Sequence, residues 1–339
     1  MSADPSPRRP AVMTDVARLA GVSHQTVSRV LNGSPRVRPT TRDKVLRAIK
    51  ELDYRPNAMA RGLVSRRSHV VGVITFDTIL FGPASTLLGI ERAARTAGYG
   101  VSIATLERLN RANILEAVDT LTGRGVDGII IIAPQLAVTA ALRDLPAGMR
   151  AVAVEASHNA GAPSVAVDQV AGARLAVEHL LSLGHKTVWH ISGPGDWLEA
   201  RDRVSGWRQC LEEVGAAVPP AIGGDWSARS GYAAGGILAG QAGATAVFAA
   251  NDQMALGLMR ALHERGVRVP EDVSIVGFDD IPEAEFLSPP LTTVRQDFDE
   301  VGRRGIATLL RLLEDDEPST DPPIAPTLEV RHSTAAPPR

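Results

Sequence analysis

From Val70 onward, short uninterrupted runs of Val, Ile and Ala alternate with longer stretches of helical spacing, and this alternation restricts the fold more than any other feature. The strands read as residues 70–76 (VVGVITF), 99–106 (YGVSIATL), 127–132 (DGIIII), 151–155 (AVAVE), 164–167 (SVAV), 187–192 (TVWHIS), 245–250 (TAVFAA) and 273–278 (VSIVGF). Between them lie helical stretches such as PASTLLGIERAARTAG, ILEAVDTLTGRG, AGARLAVEHLLSLG, GWRQCLEEVG and DQMALGLMRALHERG. Strands that are apolar throughout, rather than at alternate residues, are buried on both faces, so the pattern calls for parallel sheets covered by helices. Over roughly 200 residues it suits two Rossmann-like lobes better than one open sheet, with ligand at the carboxyl ends of the strands and in the cleft between lobes.

The loops after these strands carry the polar groups such a cleft needs. They are Asp77–Pro83, Ala133-Pro134, SGPGDWLEARDR, Asn251-Asp252 and Asp279-Asp280. Arg203 stands just after the Gly-rich turn that ends the strand at 187–192, and Trp226 comes directly after Gly223-Gly224-Asp225. Asp252 reads as a helix cap, and Asp168 and Gln169 as structural or interlobe residues. Two carboxylates at a strand's carboxyl end give at least one of Asp279 and Asp280 a role toward a hydroxyl or a cation.

Ahead of this body lies Met13 to Gly33, MTDVARLAGVSHQTVSRVLNG. Val16, Ala17, Leu19 and Ala20 form the apolar stripe of a short helix, Gly21 breaks it, and Ser23 can cap a second helix with Val27, Val30 and Leu31 inward. Two short helices at a tight turn make a helix-turn-helix, whose second helix lies in the DNA major groove. The residues it would present are His24, Gln25, Thr26, Ser28 and Arg29. Gln bonds the N6/N7 edge of adenine in two places and Arg the O6/N7 edge of guanine, each worth roughly 1–3 kcal/mol of discrimination. A plain helical hairpin with a solvated polar face is the alternative for an isolated pair.

The next stretch of chain favours DNA. Thr40 or Thr41 can cap a third helix with Val45, Leu46, Ile49 and Leu52 at helical spacing, surrounded by Arg36, Arg38, Arg42, Lys44 and Arg55 for phosphates. Asn57 can then cap a short helix, Asn57 to Leu63, that is too short to hold its shape alone in water; Gly62 costs it about 1 kcal/mol of helix propensity. The chain of 339 residues has a formal net charge of −2, but residues 1–70 carry 14 Lys/Arg against 5 Asp/Glu, and the remainder 22 against 33. A basic module on an acidic body points to a polyanion partner for the first part alone.

One cysteine, Cys210 in WRQCLEEV, leaves no intramolecular disulfide and no Cys-based metal cluster, and reads as a packed thiol. No cofactor is expected. MSADPSPRRP lacks the apolar core of a secretory signal and no run approaches ~18 apolar residues, so a cytoplasmic location is expected. The Pro-rich stretch 316–339 is expected to fray.

In combination, TDVARLAGVSHQTVSRVLNG, YRPNAMARGL, VDQVAGARLAVEHLLSLGHK, ANDQMALGLMRAL and VSIVGFDDIPEAEFLSPPLTTVRQD resemble the LacI family of bacterial transcriptional regulators, from about Val12 to about Ser333. GDWSARSG, PPLTTVRQDF and LFGPAS carry the likeness toward its lactose-responsive members. The resemblance implies an all-α helix-turn-helix domain joined to a two-lobed α/β domain of the periplasmic-binding-protein type. The boundaries are a disordered tail (1–11), the DNA-binding domain (12–56), a hinge helix and linker (57–68), the sugar-binding and dimerisation domain (69–333), and a second disordered tail (334–339).

It also implies a dimer reading a pseudo-palindromic operator. Asn32 would join the base-facing set, Asn57, Ala60 and Arg61 would lie with the hinge in the minor groove, and Leu63 would wedge into the central base step. For the effector it implies Arg203, Asn251 and Asp279 on sugar hydroxyls and Trp226 on the apolar ring face. Gln296 and Phe298 would form a polar and an apolar wall, and Glu155 a second carboxylate. Phe76, Leu80, Gly82, Pro83 and Thr86 would line the first-lobe side. Ile132 and Phe76 depart from the lactose-responsive pattern, which has a polar and a small residue there.

The chain ends in EVRHSTAAPPR without a leucine heptad, so a dimer is expected rather than a tetramer, with Phe81 a contact. The leading function is a repressor released by a small sugar or glycoside. A co-repressor-dependent regulator would want a purine sandwiched between aromatics, for which Phe76 and Trp226 are the candidates. An enzyme using Glu155, Asp279 and Asp280 lacks an acid/base pair or nucleophile at recognisable spacing and leaves the helix-turn-helix idle. A transported-sugar receptor would need a signal peptide and no basic head.

Overall fold

The computed structural model describes residues 11–31, 34–54, 67–76, 80–107, 110–146, 148–156, 162–317 and 321–338. The chain divides into two units, Met1–Ser68 and His69–Arg339.

In the first unit, α1 (Met13–Ala20), α2 (His24–Leu31) and α3 (Pro39–Glu51) close over Val16, Ala17, Val27, Val30, Val45, Ala48 and Tyr54. Asp15 accepts from the Val12 backbone at 3.1 Å at the start of α1, and Gly21, at φ +66°, ends it in the left-handed conformation that glycine adopts without strain. Ser23 Oγ accepts from the Thr26 amide at 3.2 Å and so caps α2. Two of the expected core positions are corrected: Leu19 is 46% and Leu46 51% exposed. Each lies beside the buried stripe of its helix, and Tyr54 is buried in the core although the sequence reading does not place it there. α3 starts at Pro39, with Arg38 in the cap position, so Thr40 and Thr41 lie inside the helix.

The second unit holds two sheets. The first has the order β2-β1-β3-β4-β5, all parallel, from β1 (Val70–Phe76), β2 (Gly100–Leu106), β3 (Gly128–Ile132), β4 (Ala151–Val154) and β5 (Ser164–Val165). Its helices are α4 (Phe81–Thr96), α5 (Arg111–Gly123) and α6 (Leu136–Arg143). The second has the order β11-β10-β9-β8-β6-β7, from β6 (Trp189–Ser192), β7 (Ile222–Gly223), β8 (Ala246–Ala249), β9 (Ser274–Asp279), β10 (Thr292–Arg295) and β11 (Thr327–Glu329). It is parallel except for β11, which runs antiparallel to β10. Around it pack α7 (Gln169–Ser182), α8 (Leu198–Glu213), α9 (Ala228–Leu238) and α10 (Asp252–His263).

The last helix, α11 (Phe298–Leu313), returns to the first lobe. Its Val301, Ile306 and Leu309 join Val71, Val73, Ile130, Ile132, Val152 and Val154 in one core. It crosses α4 at backbone contact: a Cβ on Gly302 would lie 2.1 Å from the Gly89 carbonyl carbon. Ile132 is fully buried in this core, so it fills the first lobe rather than a ligand site.

The C-terminal stretch departs from the expectation that 316–339, and the tail 334–339, fray. Residues 321–338 include β11, and the Ser333 hydroxyl donates to the Ile275 carbonyl at 2.6 Å while accepting from the Thr292 amide at 2.8 Å. The Ala335 amide donates to Ser274 Oγ at 3.0 Å. Polar groups that a coil would leave to water are bonded here to the starts of β9 and β10. Among the described residues no helix is long and apolar enough to cross a membrane.

Candidate functional site

Where the two lobes meet, the carboxyl ends of the strands open into a cleft of about 320 Å³ lined by Leu80, Phe81, Gly82, Pro83, Trp197, Glu199, Arg203, Trp226, Asn251, Asp279 and Gln296. Its centre is Arg203, 2% exposed on the inner face of α8. Helix α8 starts at Leu198, eight residues before the predicted stretch GWRQCLEEVG, which places Arg203 inside a helix. The Arg203 guanidinium lies 3.8 Å over the Phe278 ring and 5.4 Å from the Trp226 ring centroid. Nε donates to Gln169 Oε1 at 2.9 Å and Nη1 donates to the Ala250 carbonyl. Nη2 points between two carboxylates, Asp279 at 3.7 Å and Glu199 at 4.0 Å. These bonds leave the planar fork little freedom, the state in which it holds vicinal hydroxyls best.

Asp279 ends β9 at φ +106°, and the Gln296 amide donates to its Oδ1 at 2.7 Å. Gln169, read from sequence as structural or interlobe, belongs to this site. Asp280 does not: it accepts from Arg295 and Arg331, each at 2.6 Å, which tie the end of β9 to β10 and to the C-terminal stretch. Asn251 is the α10 cap, accepting from the Met254 amide at 2.9 Å, and its Nδ2 donates to the Trp226 carbonyl at 3.0 Å. The cap assigned to Asp252 is therefore corrected. Asp252 is fully buried and accepts from Thr293 Oγ1 at 2.6 Å and the Ile281 amide at 2.9 Å.

Trp226, buried at φ +69°, meets Trp197 edge-on at 5.4 Å and 68°, and Trp197 in turn meets Phe76 at 5.4 Å. The Trp226 ring approaches the backbone so closely that a Cβ on Gly193 would fall 2.2 Å from it. The Trp226 Nε1 and Glu155 Oε2 atoms are buried without a partner. Glu155, at φ +58° after β4, accepts from Thr86 through its other oxygen. Positive φ at Glu155, Trp226 and Asp279 puts backbone strain at the cleft, where a preorganised site accumulates it.

Of the sequence-derived set, Leu80, Gly82, Pro83, Arg203, Trp226, Asn251, Asp279 and Gln296 line the cleft, while Phe76, Glu155, Thr86 and Phe298 stand behind that lining. Phe76 is covered by Trp197, and Phe298 packs edge-on against Phe81 at 5.8 Å. Phe81, expected from the sequence at the dimer contact, lines the cleft as well. Trp197 and Glu199 complete the lining, and their place in the polar loop SGPGDWLEARDR is the one sequence signal that marks them.

The charges do not balance. Burial pushes the Glu199 carboxyl up to about 8, with Glu155 and Asp279 adding to the shift against the opposing pull of Arg203. Burial likewise lifts Glu155 to about 7 and Asp279 to about 6. Three carboxyl groups around one guanidinium hold protons that an exposed group would release.

In the first unit, His24, Gln25 and Arg29 are exposed along α2, with Thr26 and Ser28 half-buried. Asn32, and the hinge residues Asn57, Ala60, Arg61 and Leu63, lie outside the described residues.

A three-helix unit with an exposed polar second helix, on the same chain as a two-lobed domain with a polar and aromatic cleft, defines a ligand-responsive class of DNA-binding regulator. Residues 12–57 match the family of bacterial regulatory proteins of the lacI type, and residues 177–334 match the periplasmic binding protein-like domain. The lactose operon repressor of Escherichia coli is 36% identical over 97% of this chain and 92% of its own length. A purine repressor, PurR, of Vibrio cholerae is 35% identical over 91% and 93%. The crystal structure of the lac repressor dimer bound to operator and the anti-inducer ONPF superposes with a TM-score of 0.85, 36% identity, and coverage of 97% and 100%. The chain belongs to the LacI family; it is a DNA-binding transcriptional repressor and not an enzyme.

Proposed function

We propose that the protein binds a pseudo-palindromic operator as a homodimer in the cytoplasm and is released from it by a small sugar or glycoside bound in the cleft. The observation that carries this reading is the setting of Arg203: a buried guanidinium whose Nη2 is flanked by Asp279 and Glu199, beside the Trp226 ring. Vicinal hydroxyls want donors and acceptors alternating in a plane, and an apolar ring face wants an aromatic. The purine alternative is less well served. Phe76 and Trp226 do not face an open slot, because Trp197 packs against both at 5.4 Å.

DNA would be read by His24, Gln25, Thr26, Ser28, Arg29 and Asn32, with Asn57, Ala60, Arg61 and Leu63 in the minor groove at the dimer centre. The effector acts through differential affinity for two arrangements of the lobes; a shift from mostly bound to mostly free takes on the order of 5 kcal/mol. The test is operator binding by the purified protein to its own upstream DNA at fixed salt, while glycosides and purines are titrated in. Release by a glycoside supports the proposal. Tighter binding with a purine reverses the mechanism.

A further inference from the structure

We infer that Arg331 is a positioning residue for the effector cleft: through Asp280 it fixes where Asp279 presents its carboxylate, so the C-terminal stretch sets effector affinity without touching the effector. The effector half of this inference rests on the sugar reading above; the placement of Asp279 does not.

Asp279 and Asp280 follow each other at φ +106° and +53°. A residue other than glycine keeps positive φ only where its surroundings over-determine it, and two in succession need that support twice. The support comes from three parts of the chain. The Ile281 amide, next along, donates to Asp252 Oδ2 at the start of α10 at 2.9 Å. Arg295 on β10 donates to Asp280 Oδ2 and Arg331 to Asp280 Oδ1, each at 2.6 Å.

The two arginines are not equivalent. The Arg295 side chain is 51% exposed and divides its charge between Asp280 and Glu329, 3.0 Å away. The Arg331 side chain is 19% exposed, and it is anchored elsewhere as well: Nη1 donates to the Leu291 carbonyl at 2.7 Å, and the backbone amide to Thr292 Oγ1 at 2.9 Å. An ion pair that is shielded and held at both ends is screened less than one on the surface. Arg331 is thus the firmer support. Neither it nor Asp280 lines the cleft, whereas Asp279 does and stands 3.7 Å from Arg203. A binding group keeps its geometry to within about 0.5 Å only if the groups behind it are locked. Arg331, 51 residues beyond Asp280 in the chain, supplies that lock one residue away from the cleft.

The experiment uses the full-length protein. Methyl β-D-galactopyranoside, methyl β-D-glucopyranoside and lactose are titrated by calorimetry, and the Arg203 Nε and Gln296 side-chain amide resonances are recorded by NMR without sugar. R331M is expected to weaken sugar binding about tenfold and to shift both resonances, and R331K to restore most of each. In a D280N background the loss caused by R331M shrinks, because the two residues act in series. S333A, which loosens the same stretch at Ile275 and Thr292, leaves affinity and resonances as in the parent protein. A lower thermal midpoint in R331M with affinity and resonances unchanged, a full tenfold loss in the D280N background, or an equal loss in S333A each makes Arg331 merely structural and overturns the inference. If none of the three sugars binds the parent protein, the sugar reading alone falls, and the resonances decide the placement of Asp279.

Discussion

The amide of Gln169 donates to that of Gln296 at 2.7 Å, and this contact closes a ring of four side chains. Arg203 donates to Gln169, Gln169 to Gln296, Gln296 to Asp279, and Asp279 stands 3.7 Å from Arg203. Each amide is used at both ends, so neither can flip without losing two bonds. Gln169→Ala opens the ring without touching the cleft lining. It is expected to weaken effector binding about tenfold while operator affinity without effector stays constant; calorimetry and fluorescence anisotropy measure the two quantities.

Arg203→Lys keeps the charge but loses the planar fork. Operator binding should persist and effector-induced release should vanish. A release curve unchanged from the parent protein removes Arg203 from the binding site.

On α2, Gln25 and Arg29 are exposed and four residues apart, hence on one face. Gln25→Ala is expected to cost roughly 1–3 kcal/mol on the specific operator and to relax preference at one base pair. Arg36→Ala should instead weaken binding on all sequences alike and reduce the salt slope by about 1. Titrations at several salt concentrations on specific and scrambled DNA separate the two.

The cleft carboxyls make stability fall with pH. Glu199 and Glu155 have folded values near 8 and 7, both raised from 4.5, so the folded protein holds protons that the unfolded chain gives up. Stability is full below the unfolded value and is lost as pH rises through the folded ones. His190, pushed down to about 4 by burial, acts in the opposite direction and only below its ordinary value of 6.5. The midpoint of thermal unfolding should therefore decline between pH 6.5 and 8.5, by about 2–4 °C for each kcal/mol lost, and Glu199→Gln should flatten the decline. A flat parent profile would mean that these groups ionise freely.

At the crossing of α4 and α11, Gly302→Ala sets a methyl group 2.1 Å from backbone that has no rotamer to yield. The expected loss is about 1–3 kcal/mol or more, read from denaturant unfolding, with operator specificity intact in the folded fraction.

Much of this architecture is legible in the sequence because its signals are local. The apolar strands, the cap at Ser23 and the polar loops at strand ends declare themselves within a few residues. Elements defined by distant partners do not. PPLTTVRQDF carries β10 and the start of α11, but nothing within it says that α11 packs on the first lobe, far earlier in the chain. The Pro-rich end reads as coil because the hydroxyls and backbone groups that fix it belong to Ser274, Ile275 and Thr292. Trp197 looks like any core aromatic, and Glu199 like any solvated first-turn acid, until the fold sets them beside Trp226 and Arg203. Leu19 and Leu46 show the opposite failure: an apolar residue one step off the buried stripe looks inward when it is not.

The return of α11 to the first lobe also bears on how the chain is made. A ribosome delivers residues from the N-terminus, and the strands of the first sheet, which end at Val165, emerge long before Phe298–Leu313. Until then Val71, Val73, Ile130 and Val152 lack the helix that covers them in the finished protein. The second sheet waits too, because β11 and Ser333 come later still. Neither half completes first during synthesis. The nascent protein carries open apolar surface until α11 and Ser333 have been added, which makes that stretch of translation the period in which it is most exposed to aggregation.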